Sequence, residues 1–474
     1  SPMLFRQYYL GCLSHASYLV GDTASGRAVV VDPQRDVSQY LDDAAANGLS
    51  IEAVVETHFH ADFLSGHLEL AERTGAQIVY GRAAEGRTEF PIRTVSDREV
   101  IALGDPATGV TLEFRETPGH TPESISVIVR EHADDEVPYG VLTGDTLFIG
   151  DVGRPDLLAA VGVTADDLAR DLYRSLHTKL LTLPDATKVY PAHGAGSACG
   201  KNLSTETVST IGEQRRTNYA LQPMGEDDFV HAVTEGQAAA PGYFLFAATK
   251  NREAHETLDE SEAIPSMTID EVVAAQASGA AVVDTRDSSD FASAHLVGSY
   301  NVGLDGRFAE YAGVVISPHN PVVIVAEPGA EPEARIRLAR IGFDHVIGAL
   351  ESPLLAFLSR PDLVEQASRL SAAELDDRRT LDRLQVVDVR GPGEVAEGMI
   401  PGATHIQLAQ LVGRVGELDP TVPTVVYCAG GYRSSIAAST LRSNGFTDVS
   451  DLLGGYGAWL TYEQGTPDRA EVRS

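Results

Sequence analysis

The chain reads as α/β throughout, divided into about three domains, and three observations carry that reading. Its first half alternates short apolar strands with amphipathic helices. Its second half repeats itself at a spacing of 103 residues. Histidines and aspartates of the first half stand beside glycines just past predicted strand ends, where loops converge on one site. A length of 474 residues also exceeds one ordinary core.

Composition narrows the function classes. Hydrophobic residues make up 43% of the chain, as expected of folded globular domains rather than disorder. The 36 basic and 68 acidic residues leave a formal charge of −32, which repels nucleic acid and anionic membrane surfaces. No apolar run approaches the roughly 18–20 residues that span a bilayer. No basic-then-apolar leader opens the chain, and Ser1-Pro2 ahead of Met3 reads as a remnant of cloning. A cytoplasmic protein without nucleic-acid or membrane partners is expected, and a homo-oligomer is left open. Cys12, Cys199 and Cys428 are odd in number and far apart, so they build neither a disulfide framework nor a CxxC zinc site.

In the first half, Ser17–Val20 and Ala28–Val31 read as strands and Val37–Asn47 as a helix. Ile51–Glu56 is a buried strand running into a histidine-rich segment. Val110–Glu116, Ser124–Val129 and Val141–Thr143 follow as strands, then a helical stretch Asp166–Leu181 and a strand ending near Tyr190. The alanine run before Pro241 leads to a linker, with the boundary between about residues 248 and 265. Domains are expected over 1–250, 262–362 and 370–474.

The repeat aligns Val425-Val426-Tyr427-Cys428 with Val322-Val323-Ile324-Val325. The same spacing sets Leu441 on Leu338, Gly445-Phe446 on Gly342-Phe343 and Leu453 on Leu350. Val386-Val387-Asp388-Val389-Arg390 matches Val282-Val283-Asp284-Thr285-Arg286 with a shift of one. Each unit reads as strand, charged turn, second strand, active-loop position and helix, which is an α/β domain with a mostly parallel sheet.

The metal-type residues are His58, His60 and Asp62 in Thr57-His58-Phe59-His60-Ala61-Asp62, then His120, Asp145 and His193. Residues two apart on an extended segment project into the same space. Two imidazoles with one carboxylate suit zinc or non-haem iron and leave positions open for substrate.

This ordered set resembles the metallo-β-lactamase superfamily over residues 3 to about 247. The usual superfamily motif is HxHxDH, whereas Phe63 stands here in the last ligand position and cannot coordinate. That departure, with the segments Glu56–His67 and Gly150–Asp156, makes the chain look like the persulfide dioxygenase branch and its bacterial fusions to rhodanese. The resemblance implies an αββα sandwich followed by two rhodanese-like domains. It implies one Fe(II) per chain held by His58, His120 and Asp145, with His60, Asp62 and His193 orienting the ligands. The implied reaction oxidises a small thiol persulfide with O2 to sulfite and thiol, a route of sulfide detoxification. Arg154 is a candidate anchor for a substrate carboxylate, with a structural salt bridge as the alternative.

Cys428-Ala429-Gly430-Gly431-Tyr432-Arg433 lies between a strand and a helix, where backbone N–H groups favour a thiolate or persulfide. The loop resembles that of rhodaneses, with Cys428 as sulfane-sulfur carrier and Arg433 meeting an anion such as sulfite; thiosulfate is then product or donor. Val325 takes the nucleophile's place in the earlier copy, beside the acidic Ala326–Glu331 loop, so that domain is expected to be inactive, a spacer setting the geometry between the active modules. Cys199, six residues after His193, is a candidate sulfur relay, and Cys12 reads as core. Two competing readings are a mononuclear zinc thioesterase of the glyoxalase II type and a sulfur carrier with a vestigial metal domain.

Overall fold

The computed structural model describes residues 2–157, 164–381 and 383–465. One compact unit holds the chain up to Gln237 together with Phe244–Glu260; a second holds Ala238–Tyr243 and the chain from Ser261 on.

In the first unit two six-stranded sheets form among the described residues. The first contains β1 Met3–Leu10, β2 His15–Asp22, β3 Arg27–Val31, β4 Ser50–Val55, β5 Gln77–Gly81 and β6 Arg93–Val95, in that spatial order. The second runs β14-β13-β10-β9-β8-β7, built from β7 Val100–Ala102, β8 Thr111–Glu116, β9 Ile125–Arg130, β10 Gly140–Gly144, β13 Lys188–Pro191 and β14 Ser209–Thr210. A short hairpin, β11 Leu147–Phe148 with β12 Asp151–Val152, follows β10.

The strands are apolar on both faces because both faces are covered. Val20, Val29, Val31, Val55 and Val79 of the first sheet meet Leu112, Phe114, Val127, Val129 and Leu142 of the second in one buried core. Their neighbours in sequence point the other way. Leu19, Val30, Val54 and Ile78 pack under helices α1 Ser38–Ala46 and α2 His67–Thr74 through Tyr40, Ala44 and Leu70. Ile128, Val141 and Val189 pack likewise under α3 Ala165–Ser175 and a helix at Glu226–Thr234, through Ala169, Leu172, Phe229 and Val233. Period-two alternation therefore yields four layers, helix–sheet–sheet–helix. The helix read as Asp166–Leu181 is α-helical to Ser175 and continues as a π-turn over Leu176–Leu180.

The second unit bears out the internal repeat. Among its described residues two five-stranded sheets run β15-β20-β19-β16-β18 and β22-β26-β25-β23-β24. The members are β15 Ser266–Met267, β16 Ala281–Asp284, β18 Tyr300–Asn301, β19 Val322–Val325 and β20 Val346–Leu350, then β22 Ser368–Leu370, β23 Gln385–Asp388, β24 Thr404–His405, β25 Thr424–Tyr427 and β26 Val449–Leu452. Numbered within each copy, both orders are first, last, fourth, second, third, and every pairing is parallel.

Hydrogen-bond register corrects one detail of the repeat. Asp284 pairs with Val325 and Asp388 with Tyr427, so the copies superpose at 104 residues in their second and third strands and at 102, rather than 103, in the fourth. Ala326, not Val325, therefore stands in the place of Cys428, and Leu350 matches the buried Leu452 rather than the exposed Leu453. The Gly342/Gly445 turns keep the 103 spacing, and both glycines have positive φ. The second copy carries one residue more between its fourth strand and that turn.

The segment past Lys250 is bonded to the first unit. Buried Asn251 accepts from the Ser65 N–H and donates to the carbonyls of His60 and Phe63. Removing that amide orphans three buried backbone groups. Asn251→Ala is expected to destabilise this unit by about 3 kcal/mol, read as a fall in the denaturation midpoint, whereas a change under about 0.5 kcal/mol would show the staple to be idle.

Candidate metal centre

The strands of both sheets deliver their chemistry at C-terminal ends. His58 follows β4, His120 follows β8, Asp145 follows β10 and His193 follows β13. All are at most 2% exposed. One atom each from His58, His120 and Asp145 lies within 4.8 Å of the others. Asp145 Oδ2 stands 3.2 Å from His120 Nε2 and 3.5 Å from His58 Nε2.

Hydrogen bonds on the far side of each ring decide what those atoms offer. His120 Nδ1–H donates to the Arg154 carbonyl at 2.8 Å, which leaves the Nε2 lone pair facing Asp145. His58 Nδ1–H donates to Thr57 Oγ1 at 3.0 Å, and that hydroxyl donates onward to Asp32 Oδ2 at 2.7 Å. Two imidazole lone pairs thus converge on a buried carboxylate oxygen that has no hydrogen-bond partner. Three bare donors of this kind in a dry pocket fit a cation. Burial lowers the His58 pKa and His60 adds to the effect, keeping the ring neutral. Burial would raise Asp145, but His193, His58 and His120 hold it well below the usual carboxylate range.

His60 and His193 turn elsewhere. His60 Nε2 lies 2.9 Å from Asp32 Oδ1 and 3.3 Å from Glu56 Oε2. Burial lowers its pKa, yet those two carboxylates raise it well above the ordinary value, so it is an imidazolium with no lone pair to give. His193 sits between Asp145 Oδ1 at 2.7 Å and Asp62 Oδ2 at 2.6 Å, and against the pull of burial they raise it to about 10. Against burial, His193 in turn brings Asp62 down to about 2. The Phe63 ring packs 4.1 Å from His15 and 4.5 Å from His60, filling the side where the usual motif has a further histidine.

Arg154 forms the salt bridge that stands as the alternative to a substrate anchor. Its fork is taken by Asp156, Nε to Oδ1 at 2.7 Å and Nη2 to Oδ2 at 2.8 Å, while Nη1 donates to the Ala198 carbonyl. Its backbone carbonyl instead fixes His120, and its N–H donates to the Cys199 carbonyl. Cys199 is brought to the site, its sulfur grouped with Asp62 and His193 within 4.8 Å. Burial, Asp62 and Asp145 push that thiol well up, so it stays protonated.

Several participants escaped the sequence reading: Asp32, Glu56, Thr57 and His15. Asp32 follows β3 beside Pro33, and its φ of +53° is rare for a residue with a side chain. That strand-end position was the available signal. His15 lies at the start of β2, bonded through Nε2 to the Asp32 carbonyl.

The Cys428 loop is intact. Cys428 is 1% exposed, and its sulfur accepts the Gly431 N–H at 3.1 Å. The Cys428 carbonyl accepts the Tyr456 N–H at 2.7 Å, and that of Ala429 accepts the Gly457 N–H at 3.1 Å. Arg433 holds Glu394 in a two-pronged pair at 2.8 and 2.9 Å, so a carboxylate occupies the fork that sequence reasoning reserved for an incoming anion.

If the lone-pair assignment is right, Asp145→Ala abolishes stoichiometric metal binding, while His60→Gln retains the metal at reduced thermal stability. Thr57→Val, which unties the His58 ring, weakens metal binding about 10- to 100-fold. Elemental analysis after dialysis and chelator competition check all three.

Comparison with known proteins places both ends of the chain in families. Residues 10–193 match the metallo-beta-lactamase superfamily and residues 371–462 the rhodanese-like domain. The mitochondrial persulfide dioxygenase ETHE1 of Bos taurus is 30% identical over 253 residues, covering 53% of this chain and 88% of the relative. A hydroxyacylglutathione hydrolase of Synechococcus sp. (strain CC9902) is 36% identical over 171 residues, covering 35% of this chain and 61% of the relative. A crystal structure of a metallo-beta-lactamase from Staphylococcus aureus subsp. aureus COL is 30% identical with a TM-score of 0.66, covering 74% of this chain and all of that one. The chain belongs to the metallo-β-lactamase superfamily among the persulfide dioxygenase homologues, fused to a C-terminal rhodanese-like domain.

Proposed function

We propose that the first unit is a one-iron persulfide dioxygenase and that Cys428 carries sulfane sulfur in the last domain. The observation that carries the reading is the convergence of His58, His120 and Asp145 in one buried set, with Phe63 where a second metal would need an imidazole. These three residues would hold Fe(II), one per chain. When bound, iron would supply the activation of O2 that a four-electron oxidation of sulfane sulfur to sulfite needs.

The balance is RSSH + O2 + H2O → RSH + H2SO3. The chain's own residues set the conditions. Thr57 and the Arg154 carbonyl orient the two imidazoles; His193 holds the second oxygen of Asp145, so that Oδ2 alone faces the site. Burial excludes bulk water. The Cys428 step is transfer of the outer sulfur, Cys–S–S⁻ + SO3²⁻ → Cys–S⁻ + S2O3²⁻, or its reverse. In this reading the middle domain, over about 262–362, lacks a thiol and transfers no sulfur. Position supports a relay at Cys199, but a protonated thiol is a poor nucleophile and opposes it.

The reading predicts O2 uptake by the Fe(II)-loaded chain with glutathione persulfide, and none by the zinc-loaded chain. No uptake with iron, together with hydrolysis of an acyl-glutathione thioester with zinc, would establish the thioesterase alternative. Cys428→Ser is expected to keep O2 uptake and lose thiosulfate formation; loss of both would mean an obligatory relay. Phe63→His is expected to raise the metal stoichiometry above one.

A further inference from the structure

The helix Tyr432–Ser443, which follows the Cys428 loop, is bonded to the middle repeat along one stripe. The Tyr432 hydroxyl donates to the Gly303 carbonyl at 2.6 Å. Ser435 Oγ donates to Asn301 Oδ1 at 2.6 Å, and the Asn301 N–H donates to Ser439 Oγ at 2.9 Å. Ser443 Oγ reaches the Gly298 carbonyl at 3.3 Å. Steps of three and four residues put all four on one helix face.

The contact at Tyr432 is the most demanding. Its ring lies so close to the 303–306 turn that a Cβ on Gly306 would stand 2.3 Å from Cζ, and one on Gly303 would stand 3.1 Å from Cε2. Arg337 holds that turn through the carbonyls of Leu304 and Gly306. Tyr311, also of the middle repeat, meets the Tyr432 ring edge-on with centroids 5.8 Å apart.

Position makes this contact matter. Tyr432 stands between Gly431, whose N–H binds the Cys428 sulfur at φ +113°, and Arg433. Two consecutive glycines are the freest backbone a chain can have. The near end of the loop is pinned by the Tyr456 and Gly457 N–H groups. The far end is pinned at Tyr432. Without that second anchor the Gly431 N–H has no fixed direction, and a thiolate or persulfide on Cys428 loses a preorganised donor.

We propose that Tyr432 is a positioning residue for the sulfur-carrying loop and that the thiol-less middle repeat acts on sulfur transfer by holding it through Gly303, Gly306 and Tyr311. The inference rests on the reading of Cys428 as a sulfur carrier.

The test uses the full iron-loaded chain with Tyr432→Phe, Gly306→Ala and, as a structural control on the same helix, Ser443→Ala. Two readouts are taken: the pH profile of Cys428 alkylation by iodoacetamide, followed on its peptide by mass spectrometry, and KM and kcat for thiosulfate:cyanide sulfur transfer. Tyr432→Phe and Gly306→Ala are expected to move the alkylation profile to higher pH by about half a unit or more. They should lower kcat/KM for thiosulfate by about 5- to 20-fold. O2 uptake stays unchanged, and Ser443→Ala moves neither readout. Wild-type profiles and kinetics in both Tyr432→Phe and Gly306→Ala overturn the proposal, as does an equal effect of Ser443→Ala. If the parent chain transfers no sulfur while the alkylation profile still shifts, the carrier reading of Cys428 fails and the positioning role of Tyr432 stands.

Discussion

The metal centre depends on how a few buried carboxylates divide protons among five buried imidazoles. A dry pocket by itself keeps every histidine neutral. His15, with no carboxylate hydrogen-bonded to it, shows this, lowered to about 4 by burial, His193 and His60. One opposite charge at 4 Å contributes about 4 kcal/mol at an effective dielectric of 20. That is roughly three pKa units, comparable with the pull of full burial. One carboxylate therefore about cancels desolvation, and two beat it. His60 has Asp32 and Glu56, His193 has Asp62 and Asp145, and both are raised. His58 has Asp145 alone, with His60 beside it, and is lowered. The rings able to coordinate are thus separated from the rings able only to donate. Moving one of these carboxylates would change the roles and not merely the stability.

This division explains why the superfamily motif changes meaning with so little change in sequence. The HxHxD spacing places His58 and His60 together but leaves open which ring faces which oxygen. Asp32 and Glu56 turn His60 away from Asp145, and Phe63 occupies the volume beside His15 and His60. A second cation would have to compete with the Asp62–His193–Asp145 chain, already joined by bonds of 2.6 and 2.7 Å. Backbone closes the remaining space. A Cβ on Gly153 would stand 1.8 Å from the Asp145 carbonyl oxygen and 3.0 Å from His120 Nδ1.

Much of this was legible in sequence, for physical reasons that differ from residue to residue. Alternating strands and helices gave the α/β class, the family resemblance gave the layers that bury both sheet faces, and strand-end glycines marked His120, Asp145 and His193. The fold class and the metal-type residues followed from those patterns. The orientation of Arg154 did not. An arginine two residues before Asp156 can reach it or the pocket, and only the folded turn decides. Arg433 is the same case, since Glu394 lies 39 residues away and reaches it through tertiary structure. Asp32 and Glu56 were missed because a carboxylate beside a strand end is common, and its meaning comes from the imidazole it meets.

The repeat raises a harder question, namely what a copy without a thiol contributes. Asp284–Arg286 and Asp388–Arg390 keep one geometry in both copies, Nε to Oδ1 at 3.0 Å and Nη2 to Oδ2 at 2.8 Å. Each arginine then donates to a carbonyl eight residues on, Ala294 in one copy and Gly398 in the other. The buried pair is scaffold, and removing either partner would leave an uncompensated charge. The loop shows no such constraint, with Ala326 at the thiol position and Glu327 next to it. Yet Asn301, whose side-chain N–H groups bind the carbonyls of Asp284 and Arg286, accepts from Ser435 through Oδ1 and donates its backbone N–H to Ser439 of the other copy. The conserved scaffold pair of the first copy is thereby tied to the helix behind Cys428. A copy without a thiol still has a part to play if it holds the loop that has one.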